Sequence, residues 1–245
     1  MTLVTQTQRV VLFDEDGPLR LASGRELAPV EVAYETYGEL NDARDNAVFV
    51  CHALTGDAHA AGVHAESGRL GWWDNLIGPG KPIDTDRFFV VSPNLLGGCQ
   101  GTTGPSSIDP ATCLPYGRDF PLLQMTDFVS VHRALLEHLG IDRLLAAVGG
   151  SLGGMQVLQW ATEFPEEVGH AVVTAASSRL TAQNIAFSAV AREAIMRDPD
   201  FADGRYFEND KKPDLGLAIA RMMAHITYLS DEAMTSKFGR RLQNP

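Results

Sequence analysis

The stretch that most limits what this chain can fold into is VGGSLGGMQ, residues 148–156, with Ser151 at its centre. It contains Gly149-Gly150-Ser151-Leu152-Gly153, a G-x-S-x-G pattern. An apolar run lies upstream at 144–148, and a helix-like run downstream ends before Pro165. Strand, sharp turn and helix in that order turn the short pattern into a nucleophile elbow, which holds a serine on strained backbone with its hydroxyl raised above the end of a sheet. Gly149 and Gly153 are expected to let strand and helix approach, because a Cβ at either place would collide with the other element. The competing reading is a glycine-rich turn of any α/β protein; the flanks favour a catalytic serine.

The rest of the pattern predicts the sheet that the elbow needs. Strands are expected at 10–13, 30–37, 47–51, 87–92, 144–148 and 171–175. The first two suggest an antiparallel start to a mixed sheet, and AVFVC at 47–51 reads as a strand covered on both faces. Helix 126–139 carries Phe128, Val131, Leu135 and Leu139 at spacings of three and four, with Thr126 as N-cap, Asp127 in the first turn and Gly140 after the last. A short helix is expected at 72–77. Alternation of strand and helix specifies an α/β fold with a mostly parallel, doubly wound sheet. Past Ser177 only helical segments follow, at 182–197, 215–229 and 231–238, with Asp198-Pro199 and Gly204 at the breaks. The expected organisation is therefore a core at 1–177 and a helical lid region at 178–245.

Two loops fall at the carboxyl ends of strands, where ligands of α/β sheets bind. HALTGDAHAAG, 52–62, is placed to give one backbone N–H to an oxyanion hole. Leu54 is the candidate there, and Leu152, the residue after the nucleophile, supplies the second N–H. NLLGGCQGTTGPSS, 94–107, is either functional or a covering loop. His52, His59 and His64 are spaced by seven and five, unlike the i, i+4 pair of a helical zinc motif, so no metal site is expected.

Composition excludes some functions. A net charge of −11 and a pI near 5.0 argue against general nucleic-acid binding, which needs a basic face. No apolar run is long enough to cross a bilayer, and residues 1–9 lack a signal-peptide core, so a cytoplasmic protein without membrane contact is expected. Cys51, Cys99 and Cys113 are odd in number and widely spaced, which fits reduced thiols.

Four segments together, HALTGDAH (52–59), NLLGGCQGTTGP (94–105), GGSLGGMQ (149–156) and TYLSDEAMTSKFGRRLQ (227–243), resemble the homoserine O-acetyltransferase family. The resemblance covers nearly the whole chain. It implies an α/β-hydrolase fold with a helical lid, no permanently bound cofactor, acetyl-CoA as co-substrate, L-homoserine as acceptor, a place in methionine biosynthesis and a homodimer packed through the lids. It implies a ping-pong reaction in which Ser151 is acylated and homoserine's hydroxyl then takes the acetyl group. Arg221 matches the family's arginine that contacts the amino-acid substrate. The residues add a reason of their own: helix 215–229 is apolar on nearly every side, so it should be buried, and a guanidinium there wants an anionic partner such as a carboxylate. A structural salt bridge or a snorkelling surface arginine is the alternative.

On such a fold the triad order is serine, acid, histidine. Only His170 and His225 follow Ser151. His170 is expected at the wrong end of its strand and His225 in the lid helix. The family's acid and histidine lie on later strands, and the chain stops at 241–245 in what reads as a helical region. The expectation is an N-terminal fragment with the C-terminal part of the sheet missing, inactive alone, poorly soluble and with an open sheet edge. A succinyltransferase, a serine O-acetyltransferase, an esterase and a catalytically inactive ligand-binding remnant are the other readings.

Overall fold

The structure, a computed structural model, describes residues 3–240. By its contacts the chain divides after Ser178 into two compact units.

The first unit is built on a six-stranded sheet. Its strands are β1 (Gln8–Phe13), β2 (Val30–Tyr37), β3 (Ala47–Cys51), β4 (Phe89–Pro93), β5 (Leu144–Gly150) and β6 (Val168–Thr174), in the spatial order β1-β2-β4-β3-β5-β6. The β1–β2 and β2–β4 pairs are antiparallel and the other three are parallel. All five residues of β3 are buried, as a continuous apolar run at the centre of a sheet demands. Helices α1 (Met125–Leu139) and α2 (Leu152–Glu163) cover one face, where Val129, Leu135, Val157 and Trp160 pack on Phe49 and Ala147. Residues 58–88 cover the other, setting Ala60, Ala61 and Ile77 against Val48, Val50, Val90 and Val148. The helix expected at 72–77 is not formed. Turns occupy 72–76, Ile77–Gly78 pairs with Ile83–Asp84, and Trp73 N–H donates to the Ala60 carbonyl, so backbone pairing within this segment replaces the helical ladder.

Helix α1 starts one residue earlier than its pattern suggests. Gln124, in extended conformation, is the N-cap, and Asp127 at N3 accepts its N–H at 2.7 Å. Asp127 also accepts from Ala22 N–H at 2.7 Å, pinning the 19–27 hairpin to the helix. Thr126 therefore lies inside the first turn, its hydroxyl donating to Glu163. Gly140 ends the helix at φ 68°, and Arg44 donates to the carbonyls of Leu139 and Gly140, placing a cation at the negative end of the helix.

The second unit contains α3 (Ala182–Met196), α4 (Asp214–Tyr228) and α5 (Asp231–Phe238). Thr181 caps α3 and Ser230 caps α5 through their hydroxyls. Asp198 ends the first segment and accepts from Gly216 N–H at 2.8 Å, tying α4 to the end of α3. Gly216 permits that approach, since a Cβ there would stand 2.7 Å from Ile195 Cα. The helical reading of 241–245 lies outside the described residues. No described helix is long and apolar enough to cross a membrane.

Candidate active site

Ser151 joins β5 to α2 at φ 55° and ψ −122°, backbone that an L-residue holds only under strain. Three features hold it there. Its N–H donates to the Thr174 carbonyl at 3.0 Å, its carbonyl accepts from Met155 N–H at 3.1 Å, and Thr174 Oγ1 donates to the Gly149 carbonyl. The residue itself is exposed. Both glycines act as their spacing implies. A Cβ on Gly149 would run into the Gly153 peptide, and a Cβ on Gly153 would lie 2.8 Å from the Cys51 carbonyl carbon and nearer still to its oxygen. The first turn of α2 thus rests directly on the end of β3, and Gly149 pairs with Cys51 in the β3–β5 ladder.

That contact sets the 52–56 loop beside the elbow. Gly56 N–H donates to the Ala53 carbonyl at 2.9 Å, closing a turn with Leu54 at its first central position. Leu54 is 76% exposed, and the turn's own hydrogen bond does not use its N–H. Leu152, first residue of α2, has an N–H without an intrahelical acceptor. Each of the two amides named from the sequence therefore stands free of its own element's pairing.

The orientation of the Leu54 amide follows from His52, which is buried. Its Nδ1 lies 2.6 Å from the Ala53 carbonyl, and its Nε2 lies 3.0 Å from the Leu95 nitrogen. A carbonyl can only accept and an N–H can only donate, so Nδ1 carries the proton and Nε2 is bare. The ring is neutral, in keeping with burial, which lowers its pKa. Because a trans peptide directs C=O and N–H to opposite sides, holding the Ala53 carbonyl against the buried ring turns the Leu54 N–H away from it.

Beneath this loop, His132 and Gln156 form a buried pair. Gln156 Nε2 donates to the carbonyls of His52 at 3.3 Å and Leu152 at 3.1 Å, so its Oε1, 2.8 Å from His132 Nε2, accepts. His132 Nδ1 has no hydrogen-bond partner among the described residues. Burial pushes the His132 pKa down to about 4 from the ordinary 6.5, with the Gln156 hydrogen bond opposing and His52 adding to the effect. The folded state then keeps His132 neutral while the unfolded chain takes up a proton as pH falls below 6.5. The stabilisation is complete above that value and is lost between pH 6.5 and 4, amounting to about 3 kcal/mol. Urea midpoints measured across this window for wild type and His132→Gln should converge at the acid end. Parallel curves would contradict this account.

The other two histidines of the region have structural partners. His59 Nδ1 lies 3.1 Å from Glu35 Oε2 and 3.2 Å from Thr5 Oγ1, and its Nε2 faces the Arg69 carbonyl. His64 Nε2 meets Thr7, which also donates to Glu35. Tyr37 donates to the same buried carboxylate at 3.0 Å. This network joins residues 5–7 to 59–69. The 94–107 loop is stitched to β2, since Thr102 and Thr103 accept from Ala33 and Glu31 N–H, and it meets the elbow region through Leu95 and His52.

His170 lies inside β6, paired with Ala146, four residues before the Thr174 that supports the elbow. His225 and Arg221 are exposed residues of α4. The burial expected for this helix is not found: Leu215, Met222, Ile226 and Tyr228 are more than half exposed, because within its unit α4 packs chiefly on α3. The sequence reading missed Gln156 and His132. One signal was present, since Gln156 falls on the same face as Gly153, Val157 and Trp160, where a polar residue needs a buried partner.

The sequence model of the alpha/beta hydrolase fold family matches residues 46–244. Homoserine O-succinyltransferase of Nocardioides sp. is 66% identical over 236 residues, which are 96% of this chain and 64% of that protein. The crystal structure of homoserine O-acetyltransferase from Bacillus anthracis matches with a TM-score of 0.90 at 32% identity, over 99% of this chain and 65% of that one. Esterase E22 matches with a TM-score of 0.84 at 34% identity, over 97% of this chain and 67% of that one. The chain thus spans less than two thirds of the length of the curated relative.

Proposed function

Because the chain belongs to the alpha/beta hydrolase fold family, we propose that Ser151 is the nucleophile of an O-acyltransferase that moves an acetyl group from acetyl-CoA to the hydroxyl of L-homoserine. The observation that carries this reading is the exposed serine on strained backbone at the β5–α2 junction. Its oxygen attacks the thioester carbonyl, and the negative charge that develops is met by the Leu54 and Leu152 N–H groups. Coenzyme A leaves as the thiol, and the homoserine hydroxyl attacks the acyl-serine in the second half of a ping-pong cycle. Proton transfer needs a base. His170 is a ladder residue inside β6, paired with Ala146, and is not assigned that role; this reading takes the catalytic histidine and its acid from the part of the relatives' length that the chain does not span. Arg221 receives the amino-acid carboxylate, for which its paired donors and its exposure on α4 suit it.

The names of the relatives support homoserine acyl transfer and divide between succinyl and acetyl donors. The likeness to esterase E22 supports a second reading in which water replaces homoserine. No permanently bound cofactor is proposed. The exposed apolar residues of α4 support self-association into a homodimer, and a cytoplasmic location accords with the amino-acid substrate.

Intact-mass spectrometry of the whole gene product, after brief mixing with acetyl-CoA or succinyl-CoA, tests the scheme. One donor should add its acyl mass at Ser151, and homoserine should discharge it. Arg221→Ala should acylate normally and fail in discharge to homoserine. Acylation that persists in Ser151→Ala would sink the proposal.

A further inference from the structure

Two separate segments must hold their amides in register for the proposed chemistry, and one buried side chain bonds to both. Gln156 is fully buried, and the two hydrogens of its amide nitrogen go to the carbonyls of His52 and Leu152. The first carbonyl belongs to the peptide just before the Ala53–Leu54 peptide, which carries the Leu54 N–H. The second belongs to the peptide just after the one that carries the Leu152 N–H. A primary amide is the only uncharged side-chain group with two hydrogens on one atom, so one group can fix a carbonyl in each segment. Its orientation is set from the opposite side, where His132 Nε2 donates to Oε1 and leaves the nitrogen facing the two carbonyls.

We propose that Gln156, keyed by His132, is a positioning residue that holds the Leu54 and Leu152 amides at the separation an oxyanion needs. The proposal rests on Ser151 and those amides being the reacting centre. Gln156 touches neither substrate nor the reacting atoms; it acts through the His52 and Leu152 carbonyls. Without its donors the His52 carbonyl has no hydrogen-bond partner among the described residues, and the 52–56 turn is released from α2.

Gln156→Met keeps the volume and removes both donors, which separates positioning from packing. In the whole gene product, kcat for acyl transfer should fall on the order of tenfold to a hundredfold, less than the loss on deleting an oxyanion donor outright. KM for the acyl donor should stay within about threefold, because the interaction matters in the transition state. Hydrogen exchange followed by mass spectrometry should show faster exchange in residues 52–56 and unchanged protection in α1. If Gln156→Met does not fold, Gln156→Leu is read by the same two measurements. A kcat within about twofold of wild type, or unchanged protection at 52–56, overturns the proposal. Ser151→Ala run in parallel distinguishes the causes. If it is inactive while Gln156→Met retains full kcat, only the positioning role falls; if it stays active, the reading of the whole site falls with it.

Discussion

Ser151→Ala is expected to lower acyl transfer by the whole gene product by about 10⁴-fold or more, the scale seen when the nucleophile of a serine triad is removed. KM for the acyl donor should change little, because the Leu54 and Leu152 amides proposed to meet the oxyanion, and the loops that carry them, do not depend on the hydroxyl. The same position allows a second measurement. Ser151 is held at φ 55° by bonds from its neighbours, so the strain belongs to the backbone and not to the hydroxyl. Ser151→Gly should therefore be as inactive as the alanine variant and more stable by about 1 kcal/mol, since glycine occupies positive φ without penalty. Substantial turnover in either variant would refute the nucleophile, and a glycine variant less stable than wild type would refute the strain.

The largest expected effect on stability comes from Gly153. A Cβ added there falls within contact distance of the Cys51 and His52 carbonyls, which are backbone atoms at the end of a fully buried strand. Neither side can yield without moving α2 or β3. Gly153→Ala is therefore expected to cost about 3 kcal/mol or more, at the upper end of overpacking penalties, or to prevent folding. Gly17→Ala is the control, since a Cβ at Gly17 meets nothing within 4 Å. Equal urea midpoints for the two variants would show that strand and helix are not locked at this contact.

What the sequence makes legible is set by how local the signal is. The strand at 30–37, the buried strand at 47–51 and the elbow are read at their observed places because each is specified by residues within a few positions of one another. The same holds for Gly140, whose left-handed conformation ends α1. Failures occur where the deciding partner is remote. Thr126 looks like a cap until Gln124, two residues earlier, is seen to cap the helix with Asp127, which Ala22 N–H also reaches. Residues 72–77 have a helix-like composition and are diverted by backbone bonds to Ala60 and to Ile83. The apolar character of α4 reads as burial, yet within its unit most of that surface meets solvent. At the candidate site, the serine and the two amides follow from one short motif and one loop. The His52, Gln156 and His132 contacts bridge separations of 24 to 104 residues, and no local pattern encodes them.

Thr174, which takes the Ser151 N–H, is the last residue of β6, and β6 has a paired neighbour on only one side among the described residues. Ser151 is thus propped from the rim of the sheet and not from its middle. Rim strands fray more readily than interior ones, so the stiffness of the elbow tracks whatever lies along the outer flank of β6. Any segment or partner that zips onto that flank would steady Ser151 through the Thr174 carbonyl, without touching the atoms at which the chemistry is proposed.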